Sequence, residues 1–175
     1  MTTTGVSSLK LLKPDKIVDS IYDIDLELLQ KKGIKALIAD LDNTLVPWRS
    51  SEIQDKLVNW VNDVRNTGLK IAIVSNNTFT RVEAMSTQLG IIALSGAIKP
   101  RRRAFRSIAS QFNLSPNEVA VVGDQLFTDI LGGNRTGMFT ILVTPMSNHE
   151  FIGTKAMRLL EKLFLGRIKG NNKST

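Results

Sequence analysis

The sequence predicts an α/β fold, a parallel sheet with helices on both faces, and three observations predict it. Five short runs in the 175-residue chain are almost continuously apolar, as strands covered on both faces must be. Between them lie stretches with apolar residues at helical spacing, and regular alternation of strand and helix implies one sheet with right-handed crossovers, Rossmann-like in plan. The runs are followed by polar residues, Asp40 and Asp42, Ser75, Lys99 and Asp124, and ligands of such sheets collect at the carboxyl ends of the strands.

Taken in order, the expected strands are KALIAD (35–40), LKIAIVS (69–75), IIAL (91–94), VAVVG (119–123) and FTILV (139–143). Residues 52–66 carry Ile53, Leu57, Trp60, Val61 and Val64 at helical spacing. Residues 80–89, 101–112 and 126–133 complete the set of expected helices. Three segments follow: a helical lead-in over 1–34, an α/β domain over 35–150, and a basic amphipathic helix with its tail over 151–175. Residues 171–175, NNKST, read as a frayed terminus.

Length and composition narrow the chemistry. A single domain of this size buries about 70% of its unfolded surface and needs no disulfides. The chain has no cysteine, which excludes thiol catalysis and Cys-based zinc sites. A single histidine, His149, argues against His-rich metal sites and Ser-His-Asp catalysis. Chemistry therefore falls to carboxylates, hydroxyls and basic groups. The opening MTTTGVSSLKLLKP has no apolar core of secretory length, and no run approaches the ~20 apolar residues that span a bilayer. The expected location is the cytosol or a membrane surface. Of the net charge of +7, +5 lies in the last 25 residues, contributed by Lys155, Arg158, Lys162, Arg167, Lys169 and Lys173 against Glu161. An anionic partner suits that tail.

The segment DLDNTL (40–45) sets two carboxylates two residues apart just past a buried strand. One can attack phosphorus and form an aspartyl-phosphate, which assigns Asp40 as nucleophile. The other, Asp42, can protonate the leaving oxygen and later activate water. Ser75, with the backbone beside it, can hold a phosphoryl oxygen, and Lys99 can neutralise developing charge. Thr44 and Asn76 join Ser75 and Lys99 in the expected phosphate-binding set. In GDQLFTD (123–129), Asp124 is the expected direct ligand of Mg²⁺ beside Asp40 and Asp42. Asp129 either orients the ligands or favours a helix dipole as an N-terminal carboxylate.

Asp40-Leu-Asp42-Asn-Thr44, Ser75, Lys99-Pro100 and Gly123-Asp124-Gln-x-x-Thr-Asp129 stand in the order and spacing of haloacid-dehalogenase-like phosphatases, which the chain resembles over residues 35–145. That resemblance implies Mg²⁺-dependent hydrolysis of phosphomonoesters, because Asp42 stands where dehalogenases of the superfamily lack an acid/base. The lead-in KPDKIVDSIYDIDLELLQKKGIKALIADLDNTLVPW, with KPRRRAF and GDQLFTDILGGNRTG, further resembles the bacterial YqeG family. That family is similar to the phosphatidylglycerophosphatases of mitochondria and chloroplasts. The closer resemblance implies hydrolysis of phosphatidylglycerol phosphate to phosphatidylglycerol.

Only 32 residues separate Asp42 from Ser75 and 23 separate Ser75 from Lys99, so no cap domain is expected and the site should be open. An open site suits a lipid headgroup or a phosphorylated macromolecule better than a small metabolite that needs water excluded. Ala156, Leu159, Leu160, Leu163 and Phe164 form an apolar stripe with basic flanks. It reads either as an interfacial helix on anionic lipid, peripheral on the inner membrane surface, or as a last helix packed on the domain. Arg101, Arg102 and Arg103 read as headgroup-binding cations or as a solvated helix start, where three cations oppose the dipole. Trp48 reads as a rim of the site or as a staple for the following helix. The competing functions are a phosphatase of soluble nucleotides, sugars or phosphoproteins, and a non-enzymatic binding scaffold. No aromatic-studded basic stripe appears, so no nucleic-acid partner is expected.

Overall fold

Six parallel strands form one sheet in the computed structural model, which describes residues 10–147. The strands are β1 (Lys16–Val18), β2 (Ala36–Ala39), β3 (Lys70–Val74), β4 (Ile92–Leu94), β5 (Val119–Gly123) and β6 (Phe139–Val143), in the order β1-β6-β5-β2-β3-β4. The helices are α1 (Leu26–Lys31), α2 (Asp55–Asn66), α3 (Phe79–Leu89), α4 (Arg102–Gln111) and α5 (Leu131–Thr136). Single 3-10 turns occupy Ile21–Asp23 and Pro116–Glu118, and a π-helical turn, Leu126–Ile130, leads into α5.

The continuous apolar character of the central strands has its reason in this layering. Strand alternation sends Leu37, Ala39, Ile71, Ile73, Ala120 and Val122 to one face, where they meet Leu57, Trp60, Val61 and Val64 of α2 and Val82, Met85 and Leu89 of α3. It sends Ala36, Ile38, Ala72, Val74, Val119 and Val121 to the other face, against Ala104, Phe105, Ile108 and Ala109 of α4. β2 is buried along its whole length, with β5 on one side and β3 on the other. The chain runs outward from β2 through β3 to β4, then returns to add β5 and β6 on the opposite side. The strand order therefore reverses beside β2, and a crevice opens there.

All five expected strands form, shorter by up to two residues. The lead-in departs from the helical reading: Lys16–Val18 pairs with β6 as an edge strand, Lys16 opposite Ile141. The helix expected over 126–133 is divided between the π-helical turn and α5. Among the described residues no helix is long and apolar enough to cross a membrane. His149 and the expected C-terminal helix lie outside the described residues.

Candidate active site

Asp40 follows β2, Ser75 follows β3 and Asp124 follows β5, so strand register alone brings three polar residues to the same end of the sheet. The Asp40 N–H continues the ladder to the Val122 carbonyl at 2.9 Å, and the Ser75 N–H donates to the Leu94 carbonyl at 3.0 Å. Lys99 arrives from the loop after β4, which is held by its own N–H donating to Asn76 Oδ1 at 2.7 Å. Its buried ammonium lies 2.6 Å from Asp40 Oδ1 and 2.7 Å from Asp129 Oδ1.

Three buried carboxylates, Asp40, Asp124 and Asp129, each place an oxygen within 4.8 Å of the others. Asp129 reaches this cluster because the chain offers no obstacle at residue 123. A Cβ on Gly123 would run into the Asp129 carboxyl, so only glycine lets that side chain fold back over the strand end. The Gln125 N–H donates to Asp129 Oδ2 at 3.2 Å, and Thr44 Oγ1 lies 3.5 Å from Asp124 Oδ1.

Burial pushes the Asp40 carboxyl up to about 6; Lys99 opposes that shift and Asp129 adds to it. Burial pulls the Lys99 ammonium down, but the carboxylates of Asp129 and Asp40 outweigh it and leave the pKa above the ordinary lysine value. The cluster thus gathers three carboxylates, two of which share the Lys99 ammonium. Hard oxygen donors at this spacing could hold a divalent cation of the Mg²⁺ type, with water completing its shell.

Asp42 sits outside that cluster. Arg81 Nη1 donates to both its oxygens, at 2.6 and 2.8 Å, and Asn77 Nδ2 donates to Oδ2 at 2.8 Å. The Arg49 N–H adds a bond to Oδ1 at 3.1 Å. The oxygens of Asp42, expected as a metal ligand, are here engaged by a guanidinium and by amide groups. Arg81 is held in turn, with Nη2 donating to the Ser50 carbonyl at 2.8 Å.

The crevice has a volume of about 640 Å³. Asp40, Asp42, Ser75, Asn76 and Lys99 line it, as expected, together with Arg49, Asn77, Arg81, Gln125 and Thr128. Trp48 lines it too. Thr44 does not line it: it is 2% exposed, with Oγ1 toward Asp124. Arg101, Arg102 and Arg103 also fall outside the crevice. Arg101 and Arg103 line a separate hollow of about 290 Å³ with Ile98, and Arg102 Nη1 lies 3.4 Å from the Arg135 carbonyl.

Arg81 and Asn77 are the residues that sequence reasoning missed. Arg81 lies in the first turn of α3, where a cation opposes the helix dipole. The same local conflict drew attention to Arg101–Arg103, and applied to α3 it would have found Arg81.

The family described as mitochondrial PGP phosphatase matches residues 2–146. The chain is 39% identical over 160 residues to "Probable phosphatase YqeG" of Bacillus subtilis, across 91% of this chain and 93% of that one. It is 31% identical over 173 residues to phosphatidylglycerophosphate phosphatase 1, chloroplastic/mitochondrial, of Arabidopsis thaliana, across 93% of this chain and 49% of that relative, so it spans about half of the plant protein. Among solved structures, a hypothetical protein from Xanthomonas campestris shares the fold with a TM-score of 0.55, at 17% identity and 79% coverage of each chain. An uncharacterized protein from Listeria monocytogenes does so with a TM-score of 0.54, at 19% identity over 68% of this chain and 86% of that one.

Proposed function

The chain belongs to the mitochondrial PGP phosphatase family and is a phosphatase, and we propose that it removes the terminal phosphate of phosphatidylglycerol phosphate through an aspartyl-phosphate on Asp40, with Mg²⁺ as cofactor. The observation that carries this reading is the buried Asp40 at the strand-order reversal, one oxygen on Lys99 and two further carboxylates alongside.

In this reading the Asp40 oxygen not bonded to Lys99 attacks phosphorus in line with the ester oxygen. The P–O ester bond breaks, and Asp42, carrying a proton, passes it to the departing alkoxide. Asp42 then takes a proton from water, which attacks the aspartyl-phosphate, releases phosphate and regenerates Asp40. Ser75 and Asn76 hold the phosphoryl oxygens, and Lys99 offsets charge on the nucleophile and on the transferring group. Asp40, Asp124 and Asp129 would hold Mg²⁺, which supplies Lewis-acid neutralisation of the phosphoryl oxygens. Asp42 must free one oxygen from Arg81 to act, while the other stays held. A substrate with a second anionic group, such as the phosphodiester of this lipid, offers the guanidinium another partner. Arg49, Arg81 and Lys99 in one uncapped crevice support a substrate of that kind.

The family's phosphatidylglycerophosphate phosphatases of Arabidopsis and yeast support the lipid substrate. A peripheral place on the inner membrane surface, reached by the basic C-terminal segment, belongs to the same proposal.

The test is phosphate release from phosphatidylglycerol phosphate in vesicles, beside a panel of soluble phosphate esters, with Mg²⁺ and with EDTA. Turnover should favour the lipid, stop in EDTA and vanish in a folded Asp40→Asn protein. Preference for a soluble ester would move the assignment to the soluble-phosphatase reading. Near-normal kcat in folded Asp40→Asn would remove the aspartyl-phosphate altogether.

A further inference from the structure

Two of the described residues expose more apolar surface than any other large hydrophobic: Phe79, 66% exposed, and Ile98, 59%. Neither is needed by the core. Phe79 opens α3, whose buried face is Val82, Met85 and Leu89. Ile98 sits in a loop at φ 52°, a backbone conformation unfavourable for a β-branched residue. The fold therefore breaks two local rules at one residue, a left-handed β-branched backbone and an apolar side chain in water, and such breaches gather at functional positions.

Both residues follow strands at the end of the sheet where Asp40, Ser75 and Asp124 lie. A third exposed apolar residue, Met146 at 45%, follows β6 at the same end. Their loops are bonded to one another and to the site. The Gly96 N–H donates to the Asn77 carbonyl at 3.0 Å, and the Met146 N–H donates to the Asn43 carbonyl at 3.0 Å. Asn43 and Asn77 both line the crevice. The three apolar residues thus stand in loops at the end of the sheet that carries the crevice, two of those loops bonded to its lining residues Asn77 and Asn43.

Exposed charge in the loops beside these residues is mainly basic. Arg101, Arg102 and Arg103 are exposed, Arg81 is paired with Asp42, Lys99 is buried, Glu83 lies one turn beyond Phe79 on α3, and residues 143–147 are uncharged. Apolar tips among exposed arginines match the boundary of an anionic bilayer, where side chains enter the acyl edge while cations meet headgroups.

We propose that the mouth of the crevice docks face-down on an anionic lipid surface, with Phe79, Ile98 and Met146 inserted and Arg101–Arg103 on the headgroups. This deepens the lipid-substrate reading and rests on it for its purpose, but the docking is measurable without turnover. Such an orientation presents a headgroup to Asp40 without the lipid leaving the bilayer.

The experiment uses the full chain and vesicles of equal parts phosphatidylglycerol and phosphatidylcholine whose acyl chains carry bromine, a short-range quencher. Trp48, at the crevice, should be quenched on binding; Trp60, 5% exposed, sits in the core and serves as the insensitive background. In the Phe79→Asp/Met146→Asp variant the quenching should be lost, even where the C-terminal segment keeps the chain on the vesicle. Flotation should weaken by about tenfold or more wherever the rim carries the binding. Ile98→Asn, whose side chain suits the left-handed backbone, should act in the same direction. Val58→Asp on α2 should change neither readout, and all these variants should hydrolyse para-nitrophenyl phosphate at the parent rate.

A bound parent protein whose Trp48 is not quenched overturns the docking, as does a rim variant quenched like the parent. A parent dimer that the rim variant splits into monomers, with flotation unchanged, assigns the patch to a second copy instead and also overturns it. Rim-dependent quenching by a protein that releases no phosphate from the lipid leaves the docking standing and removes the substrate reading.

Discussion

Asp42 is held by more hydrogen bonds than any other side chain in the crevice, and none of its partners is a metal-cluster residue. Its two oxygens are held by Arg81, so the proposed acid/base is positioned by a residue 39 places away in sequence. Arg81→Ala is expected to lower kcat by about 10–100-fold, because an unheld catalytic group loses its reactive geometry. If the guanidinium also meets the substrate's second anion, KM for the lipid should rise while KM for para-nitrophenyl phosphate stays near the parent value. Steady-state kinetics on the two substrates makes the comparison. At this scale the sequence was legible where chemistry and local order coincide. Asp40, Ser75, Lys99, Asp124 and Asp129 each follow an apolar run or stand in a dense polar motif. Arg81 and Asn77 stand in no such motif, and their partnership with Asp42 exists only once β2 and β3 are side by side. Spacing places a residue at a strand end but does not say which way its side chain turns: Thr44 turns toward Asp124 and Asp42 toward Arg81.

Elements position the cluster, and the strand-to-helix junction after β5 does so most sharply. Gly123 ends β5, and the π-helical turn brings Asp129 back over it. Gly123 does not occupy the left-handed region, so alanine fits its backbone but not its surroundings. Gly123→Ala should displace the Asp129 carboxyl and raise the half-saturating Mg²⁺ concentration by about 10–100-fold, read by Mg²⁺ titration of turnover. On the opposite face, Phe105 of α4 is fully buried and touches α5 where Gly132 leaves room for its ring. Phe105→Ala should destabilise the fold by about 3–5 kcal/mol in urea denaturation, with the site residues chemically intact. The apolar strands and the main helices were readable because burial on two faces leaves a continuous apolar run. β1 was not: it has three residues, none of them fully buried, and its partner β6 lies more than a hundred residues on. A π-helical turn differs from an α-helix by one residue per turn, and apolar periodicity over five residues cannot separate them.

Across the whole molecule, the buried cluster concentrates carboxylates where burial disfavours ions. Asp40 and Asp129 share the Lys99 ammonium, and Asp124 lies alongside. A cation that binds the folded state and not the unfolded chain adds stability by mass action, about 2.7 kcal/mol at a hundred times its Kd. For a chain of this length that corresponds to a rise in Tm of roughly 5–10 °C. Thermal unfolding with and without Mg²⁺ should show that rise in the parent and little of it in Asp124→Asn. Failure of the parent to respond would sever the carboxylate cluster from metal binding.

The strand order also sets a timetable for synthesis. β2, buried along its whole length, leaves the ribosome before β3 and β4, which add on one side of it. Its other edge waits for Val119–Gly123, eighty residues later, so for much of translation Ala36–Ala39 offers an unpaired edge. Such an edge is a template for pairing with the wrong chain. A nascent chain arrested before residue 119 therefore holds Asp40 and Lys99 but neither Asp124 nor Asp129. It is inert as a catalyst, and chaperones that bind extended apolar segments should crosslink to residues 36–39 in it and lose that crosslink once β5 has emerged.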